Sequence, residues 1–206
     1  MTTGTDDAAA RARLEVREVD RATWAQGAAV AARAFHDEEF VVGMFGDDPV
    51  ARYAAVHHLY RHESWDPSAI HLGAFAGPEL VGVIRASPFG RCHACSSIDP
   101  DHPPDDPVLA ADWAFEVEVM RSHAPYADHA WISRVAVEPV LHGAGVGTVL
   151  VDAAVEHLAR VGSGTVLLEC LSQREGFYLA RGFRREAEVP DPNAEMSYLM
   201  RLDLPW

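Results

Sequence analysis

The stretch VEPVLHGAGVGTVL, Val137 to Leu150, places glycine at Gly143, Gly145 and Gly147, every second position. It follows an apolar run (Trp131, Ile132, Val135, Val137) and opens a segment of helical character. A glycine turn between a strand and a helix is a device for holding phosphate, because main-chain N–H groups and the positive end of the helix dipole meet there. Three phosphate chemistries compete for it. A dinucleotide turn needs Gly-x-Gly-x-x-Gly after a strand, with an acid about twenty residues on. Gly143, Gly145 and Glu169 suit that pattern, but Thr148 stands at the third glycine and too little chain follows for a dinucleotide-binding sheet. A P-loop needs a lysine before its Ser or Thr, and here Gly147 precedes Thr148. The remaining chemistry is a pyrophosphate held by backbone N–H groups, which alternate glycines allow to approach without Cβ obstruction.

A second candidate is the Cys92-x-x-Cys95 pair within RCHACSS (91–97). A structural zinc site wants four ligands. No second pair exists, and Cys170 belongs to another element. His93, His102, His123 or His129 could complete a set, but the sequence fixes no geometry for them. A thioredoxin-type pair needs a helix start after the cysteines, and none is expected. The reading is therefore two free thiols on a loop and no metal. His58 and His62, four apart on an expected helix, read as a polar face. Glu116 and Glu118 lie two apart on another helix and diverge, so at most one faces a site.

The pattern V-A-V-E-P-V-L-H-G-A-G-V-G-T-V-L resembles motif A of the GNAT superfamily of N-acetyltransferases: a strand, a proline, then Arg/Gln-x-x-Gly-x-Gly/Ala. His142, Gly145 and Gly147 take those last places, with His142 where Arg or Gln is usual. Downstream, L-L-E-C-L-S-Q-R-E-G-F-Y-L-A-R-G-F (167–183) is similar to the family's next strand, Asn/Ser loop and F-Y-x-x-x-G-F. The resemblance covers roughly residues 69–203, and the half from Trp131 to Asp203 most resembles antibiotic N-acetyltransferases of the puromycin-resistance type.

The resemblance implies an α/β (α+β) fold. A central mixed, mostly antiparallel sheet carries helices on both faces, and two splayed parallel strands bind acetyl-CoA between them. Val135, Ala136 and Val137 would face the pantetheine arm. His142, Gly143, Ala144, Gly145, Val146, Gly147 and Thr148 would hold the pyrophosphate, with Ser172 and Tyr178 completing the cofactor contacts. The reaction implied is direct attack of a primary amine on the thioester in a ternary complex. Tyr178 would be the general acid for the leaving thiolate, and a backbone N–H near Val137 would hold the oxyanion. A free alkyl amine has a pKa of about 10.4, so a base is expected; Glu169 ranks first, then Glu118, then His129. The acceptor is read as a small cationic amine, with a protein N-terminus or lysine as the rival. A non-catalytic acyl-CoA sensor is the reading from a different class. A homodimer follows only by analogy with the family.

These groups need a scaffold, and 206 residues, 49% of them apolar, suffice for one domain. Residues 1–12 are expected to be a disordered tail and 13–206 a single domain. The net charge of −14 excludes a nucleic-acid surface and suits cationic partners. No apolar run is long enough to span a membrane, the N-terminus lacks a secretory signal, and three cysteines make no disulfide framework. A reducing cytoplasm is the expected location. Alternation predicts strands over 14–19, 69–76, 79–87, 129–137, 165–170, 183–189 and 195–203. Helical periodicity predicts helices over 20–35, 49–64, 108–122, 145–160 and 173–181. Residues 36–49 read as a loop or broken helix, and 88–107 as a loop rich in proline and aspartate.

Overall fold

The computed structural model describes residues 14–62, 65–90, 92, 95, 98–126, 128–162, 164–194 and 196–204. The expected tail, 1–12, lies outside the described residues, as do His93 and the side chain of His62. Among the described residues the α-helices and strands follow in the order β1 (Leu14–Glu18), α1 (Arg21–Phe35), α2 (Glu39–Phe45), α3 (Pro49–His62), β2 (Ile70–Ala76), β3 (Glu79–Ser87), α4 (Pro107–His123), β4 (Ala130–Val137), α5 (Val146–Arg160), β5 (Thr165–Leu171), α6 (Glu175–Leu179), β6 (Arg184–Val189) and β7 (Ser197–Asp203).

Local chemistry sets the boundaries. Asp20 caps α1, its carboxylate accepting the Thr23 N–H at 2.8 Å. Asp106 caps α4 in the same way, accepting from Val108 N at 2.9 Å, and Pro107 follows where its missing N–H costs nothing. Gly77, at φ +61°, turns the β2–β3 hairpin.

The seven strands form one sheet in the order β1-β2-β3-β4-β5-β7-β6, antiparallel at every step except β4–β5. Alternation along the strands sorts side chains to two faces. Leu72, Ile84, Ile132, Leu168 and Met200 pack with Val146, Leu150, Ala154 and Leu158 of α5. Phe75, Val83 and Ala136 pack on the other face with Trp24, Ala28 and Ala31 of α1 and Val56 and Leu59 of α3. The mixed sheet with helices on both faces matches the expectation. Among the described residues no helix is long and apolar enough to cross a membrane.

One element departs from the sequence reading. The stretch read as a loop or broken helix, 36–49, holds the short helix α2, which ends at Gly46 with φ +75°. Val41 is buried, and Gly43 lies against the backbone of Asn193 in the β6–β7 connection. Seven residues with an internal glycine give little local signal; the tertiary contact stabilises them. In an exposed helix Gly→Ala stabilises by about 1 kcal/mol. At Gly43 a Cβ would overlap the Asn193 carbonyl oxygen. Gly43→Ala is therefore expected to destabilise the protein by about 1–3 kcal/mol, a fall of a few degrees in Tm by differential scanning calorimetry. A rise in Tm would show that α2 does not rest on that connection.

Candidate active site

β4 and β5 pair only at their first residues, Ala130↔Val166 and Trp131↔Leu167, although β4 runs to Val137 and β5 to Leu171. On its other edge β4 stays paired to β3, with a break in register. Arg85↔Arg134 and Ala86↔Ile132 leave Ser133 as the extra residue of a bulge, where its Oγ accepts from Arg85 Nη1 at 3.0 Å. A bulge bends the strand that carries it, here as β4 parts from β5. A cavity of about 410 Å³ occupies the resulting gap, reaching from the end of β4 to α6.

The glycine turn closes one end of this cavity. A short 3-10 turn, Pro139–Leu141, follows β4. Gly143 and Gly145 then adopt φ +83° and +86°, a region costly for residues with a Cβ. Gly145 caps α5 and no side chain takes the cap position. The N–H groups of Val146, Gly147 and Thr148 therefore have no partner within the helix and point to the cavity with the positive dipole end. Beneath them, Gly82 of β3 allows the start of α5 to sit close, since a Cβ there would lie 2.9 Å from Leu150 and 3.0 Å from Val146. Arg181 stands beside the turn, donating to Thr148 Oγ1, with its guanidinium 3.6 Å above the Phe177 ring.

Most of the cofactor residues implied by the resemblance meet at this cavity. Val135, Val137, His142, Gly143, Gly145, Val146, Gly147, Thr148 and Tyr178 all line the cavity. Ala136, Ala144 and Ser172 are not part of that lining; Ala136 faces the opposite core with Val83. Tyr178 is buried, edge-on to Phe177 and Phe183 at 4.9 and 5.7 Å. Burial pushes its phenol above the usual tyrosine range, so it stays protonated.

The candidate bases fall in different places. Glu118 lies off the cavity and pairs with Arg121 one turn along α4. Glu169 lines the cavity, but both its oxygens are engaged: Oε1 accepts from His123 Nε2 at 2.6 Å and Oε2 from Trp131 Nε1 at 2.9 Å. His129 is buried, and its Nδ1 donates to the Tyr126 carbonyl at 2.7 Å.

Other charged groups of the cavity carried no motif. Arg134 donates to Asp112 at 3.3 Å and to Glu116 at 3.0 Å, fastening α4 to β4. Glu38 accepts from Arg174 and, at 3.4 Å, from Gln173, joining the α1–α2 loop to the start of α6 across the cavity mouth. Asp191, in the Pro-Asp-Pro turn, accepts from Asn193 N at 2.9 Å and Ser197 Oγ at 3.3 Å. Burial raises its carboxyl above the usual range. The only sequence signal for it was a turn.

Behind Glu169 the structure gathers Cys92, Cys95, His123 and His129, whose ligating atoms all lie within 4.8 Å of one another. The sequence left these partners open. The two thiols share one pocket with two imidazoles. The hydrogen bond to Cys92 pulls the Cys95 thiol below the usual thiol range. Burial works against a charged His123, but Glu169 and Cys95 outweigh it and lift the ring to about 9.

A family model for GNAT acetyltransferases matches residues 17–183. The fold is similar to three solved structures, among others. One is a protein of Corynebacterium glutamicum described as histone acetyltransferase HPA2 and related acetyltransferase (18% identity, TM-score 0.63, covering 92% of this chain and 95% of that one). Another is the PaiA N-acetyltransferase of Thermoplasma acidophilum in complex with coenzyme A (15%, TM-score 0.58, 93% and 99%). The third is a mosquito arylalkylamine N-acetyltransferase-like protein, 5b (9%, TM-score 0.64, 93% and 100%). At these identities the likeness is one of fold. No curated protein matches the chain in sequence.

The turn makes a direct prediction. Coenzyme A at a hundred times its Kd should stabilise the protein by about 2.7 kcal/mol. Gly145→Ala adds a Cβ at φ +86°, costing about 1–2 kcal/mol and obstructing the cradle. The variant is expected to keep its circular dichroism spectrum and lose most of that thermal shift. An undiminished shift would place the pyrophosphate elsewhere.

Proposed function

The chain belongs to the GNAT family of acetyltransferases, and from that premise we propose that it acetylates a primary amine on a small cationic molecule. The reading rests on one observation: a left-handed glycine turn, parted parallel strands and a buried tyrosine face the same cavity. Bound acetyl-CoA supplies the activated acyl group. The residues present suit it: Val135 and Val137 offer strand backbone beside the gap, and the start of α5 offers N–H groups to the pyrophosphate. The closer kinship to puromycin-type enzymes remains a reading of the sequence.

Tyr178 holds a proton at Oη for the departing sulfur. The parent thiol has a pKa of about 8.5 by analogy with cysteine, below that of the buried phenol. Tyr178 therefore acts chiefly by donating a hydrogen bond, and the proton lost by the amine balances the thiolate. Asp191 is the better base in this reading. Like Glu169 it accepts at both oxygens, from Asn193 N and Ser197 Oγ, but partial burial gives it a raised affinity for a proton.

The acceptor's charge follows from the lining. Of the lining carboxylates Glu38 is paired with Arg174 and Asp112 with Arg134, so the preference for a cation falls to Asp191, and the whole chain at −14 raises the local concentration of cations. The Glu38–Arg174 bridge joins the walls at the mouth, which favours a small acceptor over a protein tail. The free thiols suit a reducing cytoplasm. A homodimer through terminal strands is carried over from the family alone, and the charges along edge strand β6 (Arg184, Arg185, Glu186, Glu188) weigh against pairing there.

Two variants separate catalysis from mere binding. Tyr178→Phe is expected to cut turnover by about 10²-fold or more in a thiol-release assay over a panel of amines, with the shift by coenzyme A kept. Unchanged turnover would remove Tyr178 from the reaction. Asp191→Asn is expected to lower kcat/KM for the amine by a similar factor, with the KM for acetyl-CoA little changed; full activity would return the base to an unidentified group. A stabilising shift by coenzyme A without turnover on any amine would favour an acyl-CoA sensor.

A further inference from the structure

We propose that Cys92 Sγ, Cys95 Sγ, His123 Nδ1 and His129 Nε2 bind one structural zinc ion. The spacing is Cys-x2-Cys and His-x5-His, within the range of structural Cys2His2 sites. A tetrahedral zinc centre sets the separations expected between its ligand atoms. Bonds of about 2.0 Å to nitrogen and 2.3 Å to sulfur place two nitrogens about 3.3 Å apart and a sulfur about 3.5 Å from either. His123 Nδ1 lies 3.2 Å from His129 Nε2 and 3.3 Å from Cys92 Sγ.

The hydrogen bonds outside the cluster fix which atoms face inward. The Tyr126 carbonyl can only accept, so His129 Nδ1 carries its proton outward and Nε2 presents a lone pair. Glu169 Oε1 accepts from His123 Nε2, so Nδ1 of a neutral His123 also presents a lone pair. Two lone pairs 3.2 Å apart repel unless a proton or a metal ion lies between them, and a metal ion also satisfies the two thiols of the same cluster. A carboxylate or carbonyl on the far nitrogen of each histidine is the arrangement that orients imidazoles on a metal. The donor set of two soft thiolates and two imidazoles selects zinc, and four protein ligands leave no open position for a substrate.

The ion would join three parts of the chain. Cys92 and Cys95 come from the connection after β3, His123 from the last turn of α4 and His129 from the residue before β4. Through Glu169 it would also fix a wall of the acyl-transfer cavity. The inference stands on the cluster itself and does not depend on the acceptor or on catalysis.

The test uses the full chain, expressed with zinc and purified without chelator. About one zinc per chain is expected by elemental mass spectrometry. Cobalt(II) added to the stripped protein is expected to give the intense visible absorption of a tetrahedral thiolate site. Cys95→Ser removes the exposed ligand and is expected to lose the zinc. Glu169→Gln keeps all four ligands and is expected to weaken zinc by about 10–100-fold in competition with a chromophoric chelator. Folded wild-type protein that takes up neither metal, or that carries Cys92 and Cys95 as a disulfide, overturns the proposal. So does a weak, octahedral cobalt spectrum. Should Cys95→Ser fail to fold, the wild-type stoichiometry and the cobalt spectrum still decide.

Discussion

Everything in this molecule depends on two parallel strands that pair and then part. β4 and β5 share a ladder for two residues and diverge, while β3 holds β4 on one side and β7 holds β5 on the other along its whole length. Beyond Trp131 the edge of β4 that faces β5 has no ladder partner among the described residues. Buried backbone polar groups must find partners, and an extended polyamide lying in the gap can provide them. The fold thus creates a strand-shaped vacancy rather than a bowl. Its far end is stopped by a helix N-terminus, which prefers an anion. A ligand long, amide-bearing and terminated by phosphate meets both demands at once.

The charges sort along the same gap. Arg134 would place a cation in the middle of the acceptor side, but Asp112 and Glu116 hold it at 3.3 and 3.0 Å. Such a buried pairing contributes little net stability; its effect is to fix the register of α4 against β4. That leaves Asp191, half-buried in the β6–β7 connection, as a carboxylate of the lining held by uncharged donors. At the phosphate end the balance reverses, with Arg181 over Phe177 and beside Thr148.

The phosphate end was legible in the sequence because it is made of backbone. Gly143 and Gly145 are needed for left-handed φ, and that need is visible in the residue type itself. Tyr178 was legible through the same motif logic. The acceptor end was not, because its residues (Glu38, Asp112, Arg134 and Asp191) come from two connections, a helix and a strand with no shared spacing. Glu118 showed the right chemistry but turned to Arg121, as a helix surface residue does when a partner lies three positions on. Asp191 read only as a turn former, and its burial depends on α2, a helix that local propensity does not announce. Cys92 and Cys95 were visible as a pair. Their partners were not, since His123 and His129 meet them only after α4 has packed across the sheet.

Glu169 shows why a position in a motif does not settle a role. By sequence it ends a strand beside the cofactor gap, where a carboxylate could take a proton from an amine. In the folded chain its two oxygens accept from His123 and Trp131 at 2.6 and 2.9 Å. A base must have a lone pair open to the substrate, and a carboxylate spanning two donors has few to spare. The same two bonds make it an efficient orienting group: it sets the tautomer of His123 on one side and the indole of Trp131, a wall of the cavity, on the other. A single carboxylate thus couples the cysteine–histidine cluster to the acyl-transfer cavity. Asp191, beside Ser197 in the β6–β7 connection, also accepts at both oxygens, and partial burial raises its affinity for a proton.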